Sequence, residues 1–363
     1  MQSAVQYRFL KSSEDLERFV PAWRSLWARD PDALPFQSPE WLLPWWRQFG
    51  NDELCAVVME RDGQAIGFLP FYVYEDAKAR KRQLLPIGVG TTDYLDGVFA
   101  PECATEEIGG AVEFLLDGVE HDEFCATQVP GHSRMLEGMR KQGLGTREEG
   151  LGVGAEGGPV FLSEAEGCSR MAAVRMGELP QKIRRNAMYY RNRALREGKL
   201  ELVAADESNW EEIFERLRRL HRERWQTRGE EGVLVDERVV DWHRDAIPLL
   251  LEAGLLRLIA LKLNGEVIAV LYSLIDRERP GRNGRTQYFY ITAYSPDHAE
   301  LRPGTLLIAY AVERAAGEGV ATIDMLRGDE GYKQIWHMEK TPTWCVTRLA
   351  SGQSAERNEE SAA

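Results

Sequence analysis

Directly behind an apolar strand pattern, Tyr288 to Tyr294, the chain reads Arg302, Pro303, Gly304, Thr305, Leu306 and turns helical. Pro303 suits a first helical turn, Gly304 lets a backbone come close to a ligand, and Thr305 and Leu306 present main-chain amides. A helix N-terminus with unpaired N–H groups carries about half a positive charge and attracts anions, and Arg302 adds a full one. The competing reading is an ordinary Pro-Gly helix start. Further on, a strand pattern holding Asp324 ends near Leu326, and Tyr332 and Lys333 follow after one tight loop. A carboxylate, a phenol and an ammonium gathered this way can move protons or steady negative charge. Asp324 could instead fix Lys333 or cap the loop, and Tyr332 could pack on Trp336 one turn later. A third group is the basic stretch from Lys182 to Glu201, where Lys182, Arg184, Arg185 and Arg191 could grip phosphates or simply face water.

The elements that must hold these groups repeat. In the first half, Val5 to Leu10 alternates as a strand, and a helix capped by Ser12 or Ser13 follows. A tryptophan-rich helix runs from Pro39 to Gly50, and a hairpin turns at Asp62 and Gly63. Another strand, a helix Thr105 to Val119, the strand EFCATQV and a helix Ser133 to Gln142 complete this half. After a glycine-rich linker, Gly150 to Pro159, the order recurs: helices, a hairpin turning at Asn264 and Gly265, then strand, helix, strand, helix and a last strand. The expected boundaries are 1–155 and 160–351, with a polar, disordered tail over 352–363. The fold class is α+β.

The chain has 363 residues, too many for one small core, with 44% apolar and 28% charged residues, the balance of a globular protein. A net charge of −13 opposes nonspecific binding of nucleic acid or anionic lipid over the whole surface. No run of about eighteen apolar residues marks a membrane span, no signal-peptide pattern opens the chain, and the expected location is cytoplasmic. The five cysteines lack a paired spacing and the six histidines lack ligand spacing, so neither a disulfide framework nor a metal is expected. GVGTTD, Gly88 to Asp93, imitates a dinucleotide fingerprint but precedes no helix.

SPEWLLPWWRQFG, LPIGVGTTDYLDGVFAPE, LHRERWQTRGEEG, RPGTLLIAYAVERAAGEGV and IDMLRGDEGYKQIW, in this order, resemble the successive blocks of CelD/BcsL-type acyltransferases, relatives of the FemABX double-GNAT proteins. The resemblance spans nearly all of Phe36 to Leu349 and implies two tandem GNAT-like domains, each a mixed, mainly antiparallel sheet flanked by helices. It implies acyl transfer to an amine from acetyl-CoA or another acyl-CoA, in envelope or exopolysaccharide pathways. On that basis Arg302, Gly304, Thr305 and Leu306 receive the pyrophosphate, and Tyr290 and Ile291 on a diverging strand supply the N–H for developing negative charge. Tyr332 matches the tyrosine that protonates the leaving thiolate, and Lys333 matches the terminal-helix lysine of FemABX proteins. Arg184 matches a Lys-x-Arg-x-Asn arginine that holds acceptor phosphates there. Asp93 and Tyr94 in the first half, and Trp225 with His221, are expected along a substrate cleft, with core packing as the plainer role of the tryptophan. The loop has one glycine where GNAT enzymes usually have two.

The leading expectation is a soluble N-acyltransferase acting on an amino sugar, amino acid or envelope precursor, with no nucleic-acid partner and compatible with a homo-oligomer. A FemABX-like transferase using charged tRNA and a non-catalytic GNAT pair binding a glycan or protein are the alternatives.

Overall fold

A computed structural model describes residues 3–50, 53–142, 160–227, 229–279, 282–328 and 331–349. The expected linker and polar tail lie outside the described residues. Two compact units emerge: Met1–Glu166 with Pro342–Ala363, and Gly167–Thr341. The second expected domain includes the last strand. In the structure this strand from Pro342 onward counts with the first unit, because Thr343–Leu349 pair with a strand there.

The first unit runs β1 (Gln6–Leu10), α1 (Ser13–Arg29), α2 (Pro39–Phe49), β2 (Glu53–Leu54), β3 (Ala56–Arg61), β4 (Gln64–Leu69), β5 (Phe71–Asp76), β6 (Lys81–Pro86), β7 (Val98–Phe99), α3 (Thr105–Gly118), β8 (Glu123–Pro130) and α4 (Arg134–Lys141). Strand β9 (Val160–Ala172) then starts in this unit and ends in the other. Helix α1 begins where the Ser12 hydroxyl accepts from the Asp15 amide at 3.1 Å, a cap that stabilises by about 1 kcal/mol. Strands β1, β3, β4 and β7 form one sheet, and the β3–β4 turn has both Asp62 and Gly63 left-handed, at φ 51° and 75°. That conformation is why Asp-Gly stands there. Trp41, Trp45 and Trp46 of α2 are buried, and their indole N–H groups donate to the hydroxyls of Thr92 (3.1 Å), Thr91 (2.8 Å) and Ser13 (2.9 Å). The GVGTTD segment therefore supplies hydroxyls to tryptophans that would otherwise be buried without a partner, at a cost of about 1–3 kcal/mol each.

The second unit continues with α5 (Gln181–Glu197), β10 (Leu200–Ala204), α6 (Trp210–Gln226), α7 (Glu237–Glu252), β11 (Leu256–Leu263), β12 (Glu266–Ile275), β13 (Arg285–Tyr294), α8 (Pro303–Gly317), β14 (Val320–Asp324) and α9 (Gly331–Ile335). Strand β15 (Glu339–Leu349) leads back to the first unit. The sheet order is β10-β11-β12-β13-β14-β9, antiparallel except for the β13–β14 pair. The β11–β12 turn repeats the first unit's geometry, with Asn264 and Gly265 at φ 51° and 85°. Helices α5 and α8 cover one face of the sheet, where Ile183, Ala187, Leu307, Ala311 and Ile323 share one core. Near-total burial of such side chains supplies about 1.5–3 kcal/mol each for the larger ones.

Strand β13 carries two irregularities. Tyr272 pairs with Ile291 and Ser273 with Phe289, so Tyr290 is an extra residue in a bulge. The parallel pairing with β14 stops at Tyr288 opposite Asp324, whereas β13 continues to Tyr294. The far edge of β13 is thereby released from the ladder. Among the described residues no helix is long and apolar enough to cross a membrane.

Candidate active site

The released edge of β13 borders a cavity of about 580 Å³, a volume suited to a sizeable organic ligand. Thr292 and Tyr294 of β13, Arg302 to Thr305 at the start of α8, Ile183, Asn186 and Tyr190 of α5, Arg224 near the end of α6, and Gly331, Ile335 and Trp336 around α9 line it.

The α8 end is built as an anion receiver. Its cap residue, Arg302, has no side-chain cap bond and is left-handed at φ 47°, ψ 54°, a conformation that L residues adopt at a cost of about 1–2 kcal/mol. Pro303 has no N–H, and the amides of Gly304 and Thr305 have no intrahelical acceptor. Leu306 corrects the expectation: its N–H donates to Arg302 C=O at 3.2 Å and its side chain lies in the core, so it offers nothing to a ligand. Gly304 also has a second reason to be glycine. A Cβ there would lie 2.8 Å from Cδ1 of Tyr294, so the bare backbone lets α8 approach that ring.

Arg224 forms the opposite pole. It donates from Nη1 to Thr292 C=O at 3.1 Å and lies 5.1 Å from the Tyr294 ring centroid, while its Nε–H is buried with no acceptor among the described residues. Neither Arg224 nor Arg302 has a carboxylate partner among the described residues, and no Asp or Glu is among the cavity's lining residues. In a chain of net charge −13, this is a cationic enclosure.

The Arg224 bond also orients the strand. In an antiparallel ladder, the N–H and C=O of one residue face the same side. Since Thr292 C=O faces Arg224 and Ser295 N–H donates to Ile268 C=O at 2.8 Å, the Thr292 amide faces the cavity while Ile291 faces β12. The ring of Tyr290 belongs to another cluster, with centroids 5.6 Å from His243 and 5.7 Å from Tyr272. The open-edge donor is thus Thr292, one residue beyond the expected pair Tyr290 and Ile291.

Asp324 and Lys333 build the loop after β14. Asp324 is fully buried, accepts from Arg170 Nε at 2.6 Å and from Leu326 N–H at 2.8 Å, and so holds Leu326 in its left-handed conformation at φ 56°. Lys333, 4% exposed, donates from Nζ to the carbonyls of Leu326 (3.3 Å), Arg327 (2.6 Å) and Gly328 (3.1 Å). Three ammonium donors meet three carbonyls. Tyr332 sits in α9, and its side chain lies outside what the structure describes.

The remaining expected residues stand apart from the cavity lining. Arg184 lies on α5 beside Ile183 and gives its guanidinium to Gly177 C=O at 2.6 Å. Trp225 donates to Nε2 of His221 at 2.9 Å, and burial, helped by the charge of Arg224, holds His221 neutral with a pKa of about 4. Asp93 and Tyr94 are buried in the first unit, where Tyr94, left-handed at φ 52°, accepts from the Gln37 amide through its carbonyl. Sequence reasoning missed Asn186, Tyr190, Arg224, Thr292 and Tyr294. Asn186 was visible as the last member of the Lys182-x-Arg184-x-Asn186 pattern, but the arginine drew attention because it carries charge.

A bulged strand splaying from its parallel neighbour, with an anion-receiving helix start beside it, agrees with the arrangement that the GNAT resemblance implies. Residues 181–334 match the acetyltransferase (GNAT) domain family. The chain has an α+β fold of two compact units, and the matched GNAT domain lies within the second of them. Among solved structures, FemX superposes with a TM-score of 0.59 at 11% identity, covering 94% of this chain and 96% of that one. The C-terminal domain of a putative lysylphosphatidylglycerol synthetase from Agrobacterium fabrum gives 0.55 at 11%, covering 93% and 92%. L-PGS from Bacillus licheniformis gives 0.51 at 13%, covering 90% and 94%. No curated protein matches by sequence.

Proposed function

We propose that the protein is an acyl-CoA-dependent N-acyltransferase of the CelD/BcsL kind, acting on a primary amine of an amino sugar, amino acid or envelope or exopolysaccharide precursor. The observation that carries this is the cationic, acid-free cavity between the start of α8 and the open edge of β13. The residues fit the group: Gly304 and Thr305 amides with Arg302 would hold the pyrophosphate, and the β13 edge would accept the amide-bearing arm. Acyl-CoA supplies a thioester carbonyl as electrophile. Thr292 N–H is the donor toward which negative charge would develop, and Arg224, already on Thr292 C=O, fixes that peptide and adds positive charge. Lys333 and Asp324 act here as positioning residues, holding the loop that leads into α9, the helix of Tyr332, the proposed proton donor to the departing thiolate.

The test is mass spectrometry of ligand retained through purification, followed by thiol-release assays over acyl-CoA donors and amine acceptors. Retained CoA and donor-dependent thiol release support the reading; a protein that releases no thiol from any donor with any amine contradicts it. The names of the structural neighbours favour one further acceptor class, a lipid-borne headgroup, which enters the same acceptor panel.

A further inference from the structure

Helix α5 presents two chemically different faces. Inward, Ile183, Ala187 and Ala194 are buried, and Ile183, Asn186 and Tyr190 line the cavity. Outward, Met188 is 50% exposed, Tyr189 56% and Leu195 48%, three of the large apolar side chains most open to water in the described chain. They recur at helical spacing with Arg185 and Arg196, so apolar and cationic side chains share one face. Lys182, Arg185, Arg191 and Arg196 have no carboxylate within ion-pair distance among the described residues, and the single acidic residue of the helix, Glu197, is taken by Arg193 at 3.6 Å. This concentration of positive charge stands on a protein of net charge −13. Self-solvation explains the arginines; it does not explain the exposed methionine, tyrosine and leucine among them.

We infer that the outer face of α5 seats on the surface of an anionic lipid bilayer. The chemistry matches term by term: Met188, Tyr189 and Leu195 enter the boundary between headgroups and acyl chains, and the surrounding guanidinium groups meet lipid phosphates. A nucleic acid would satisfy the charges and leave Met188 and Leu195 in water, which is why lipid is favoured. The acidic remainder of the protein keeps the attachment local and reversible. One consequence rests on the acyltransfer reading: with α5 on the membrane, the cavity behind it lies about one helix diameter, ~10 Å, from the headgroups, suited to an amine borne on a lipid-linked acceptor.

The test is co-sedimentation of the full chain with phosphatidylcholine vesicles, with and without about one-third phosphatidylglycerol. Binding is expected only to the anionic vesicles and should weaken as salt rises. Arg185→Ser with Arg196→Ser should lower partitioning about 25-fold, from roughly fivefold per charge. Met188→Ser with Leu195→Ser should weaken binding at constant salt. All four positions are outward-facing, so an unchanged melting curve shows the variants folded. Absence of binding, equal binding to neutral vesicles, or indifference to the arginine pair overturns the inference. So does RNA binding of comparable strength that ignores the apolar pair, which would assign the face to nucleic acid. Vesicle binding requires no acyl-CoA, so failure of the acyltransfer reading leaves this result untouched.

Discussion

Replacing Lys333 by methionine separates two roles that an active-site lysine can have. The side chain is buried and its ammonium bridges three successive carbonyls after β14. Methionine keeps most of the stem's apolar contact and removes every donor. Leu326 C=O retains the Ser169 amide at 3.1 Å, so the loss falls mainly on the carbonyls of Arg327 and Gly328. Both residues are half-buried, so water recovers part of each bond, and a net loss of about 1–3 kcal/mol follows. For a unit of this size that is a drop of about 3–10 °C in the second unit's Tm. Differential scanning calorimetry of the full chain reads it, and turnover should fall in parallel because the loop leading into α9, where Tyr332 sits, loosens. A variant that keeps its Tm within about 1 °C while losing turnover would refute the anchoring argument and make the ammonium a group that acts on substrate.

Other expectations come from the same geometry. Arg302→Gly should leave stability unchanged or slightly raised, since it relieves a left-handed arginine, while weakening acyl-CoA binding; calorimetry and isothermal titration read the two effects separately. Arg224→Gln should weaken acyl-CoA binding about 10–100-fold, the worth of one charge-assisted contact of about 1.5–3 kcal/mol, with the Tm little changed. Burial holds His221 at a pKa of about 4 and His243 at about 3, both below the usual 6.5, so the unfolded chain binds more protons in that window. Stability is therefore full above about pH 6.5 and is lost as pH falls, by up to about 1.4 kcal/mol per pH unit for fully buried His243 and over a narrower range for His221, whose pKa is shifted less. His243→Phe should flatten the dependence of Tm on pH between about 4 and 6.5, and an unchanged slope would contradict the assignment.

Local chemistry was legible wherever one residue dictates its own backbone. Asp62-Gly63 and Asn264-Gly265 gave two hairpins, Ser12 gave a helix start, and Pro303 gave the first residue of α8. The bulge at Tyr290 was not legible, because it exists only in the pairing of β13 with β12. For the same reason the choice between Ile291 and Thr292 required the register. Arg224 was hidden because its meaning comes from the absence of a nearby carboxylate, a property of three-dimensional surroundings. Strand β9 comes after a glycine-rich run and opens with only Val160 to Leu162 as a strand signal, followed by a Ser, Glu and Gly mixture that shows no regular alternation. Asp324 and Lys333 stand out as a pair of interest, but their partners, Arg170 and three backbone carbonyls, come from distant sequence or uncharged main chain.

The central claim is that the cavity between β13 and α8 receives an acyl-CoA. Isothermal titration of the full chain with acetyl-CoA and longer acyl-CoA thioesters tests it most directly. The account predicts saturable binding of at least one of them, weakened by salt and by Arg302→Glu. A folded protein that binds no acyl-CoA, or binds one with an affinity indifferent to Arg302→Glu, contradicts it.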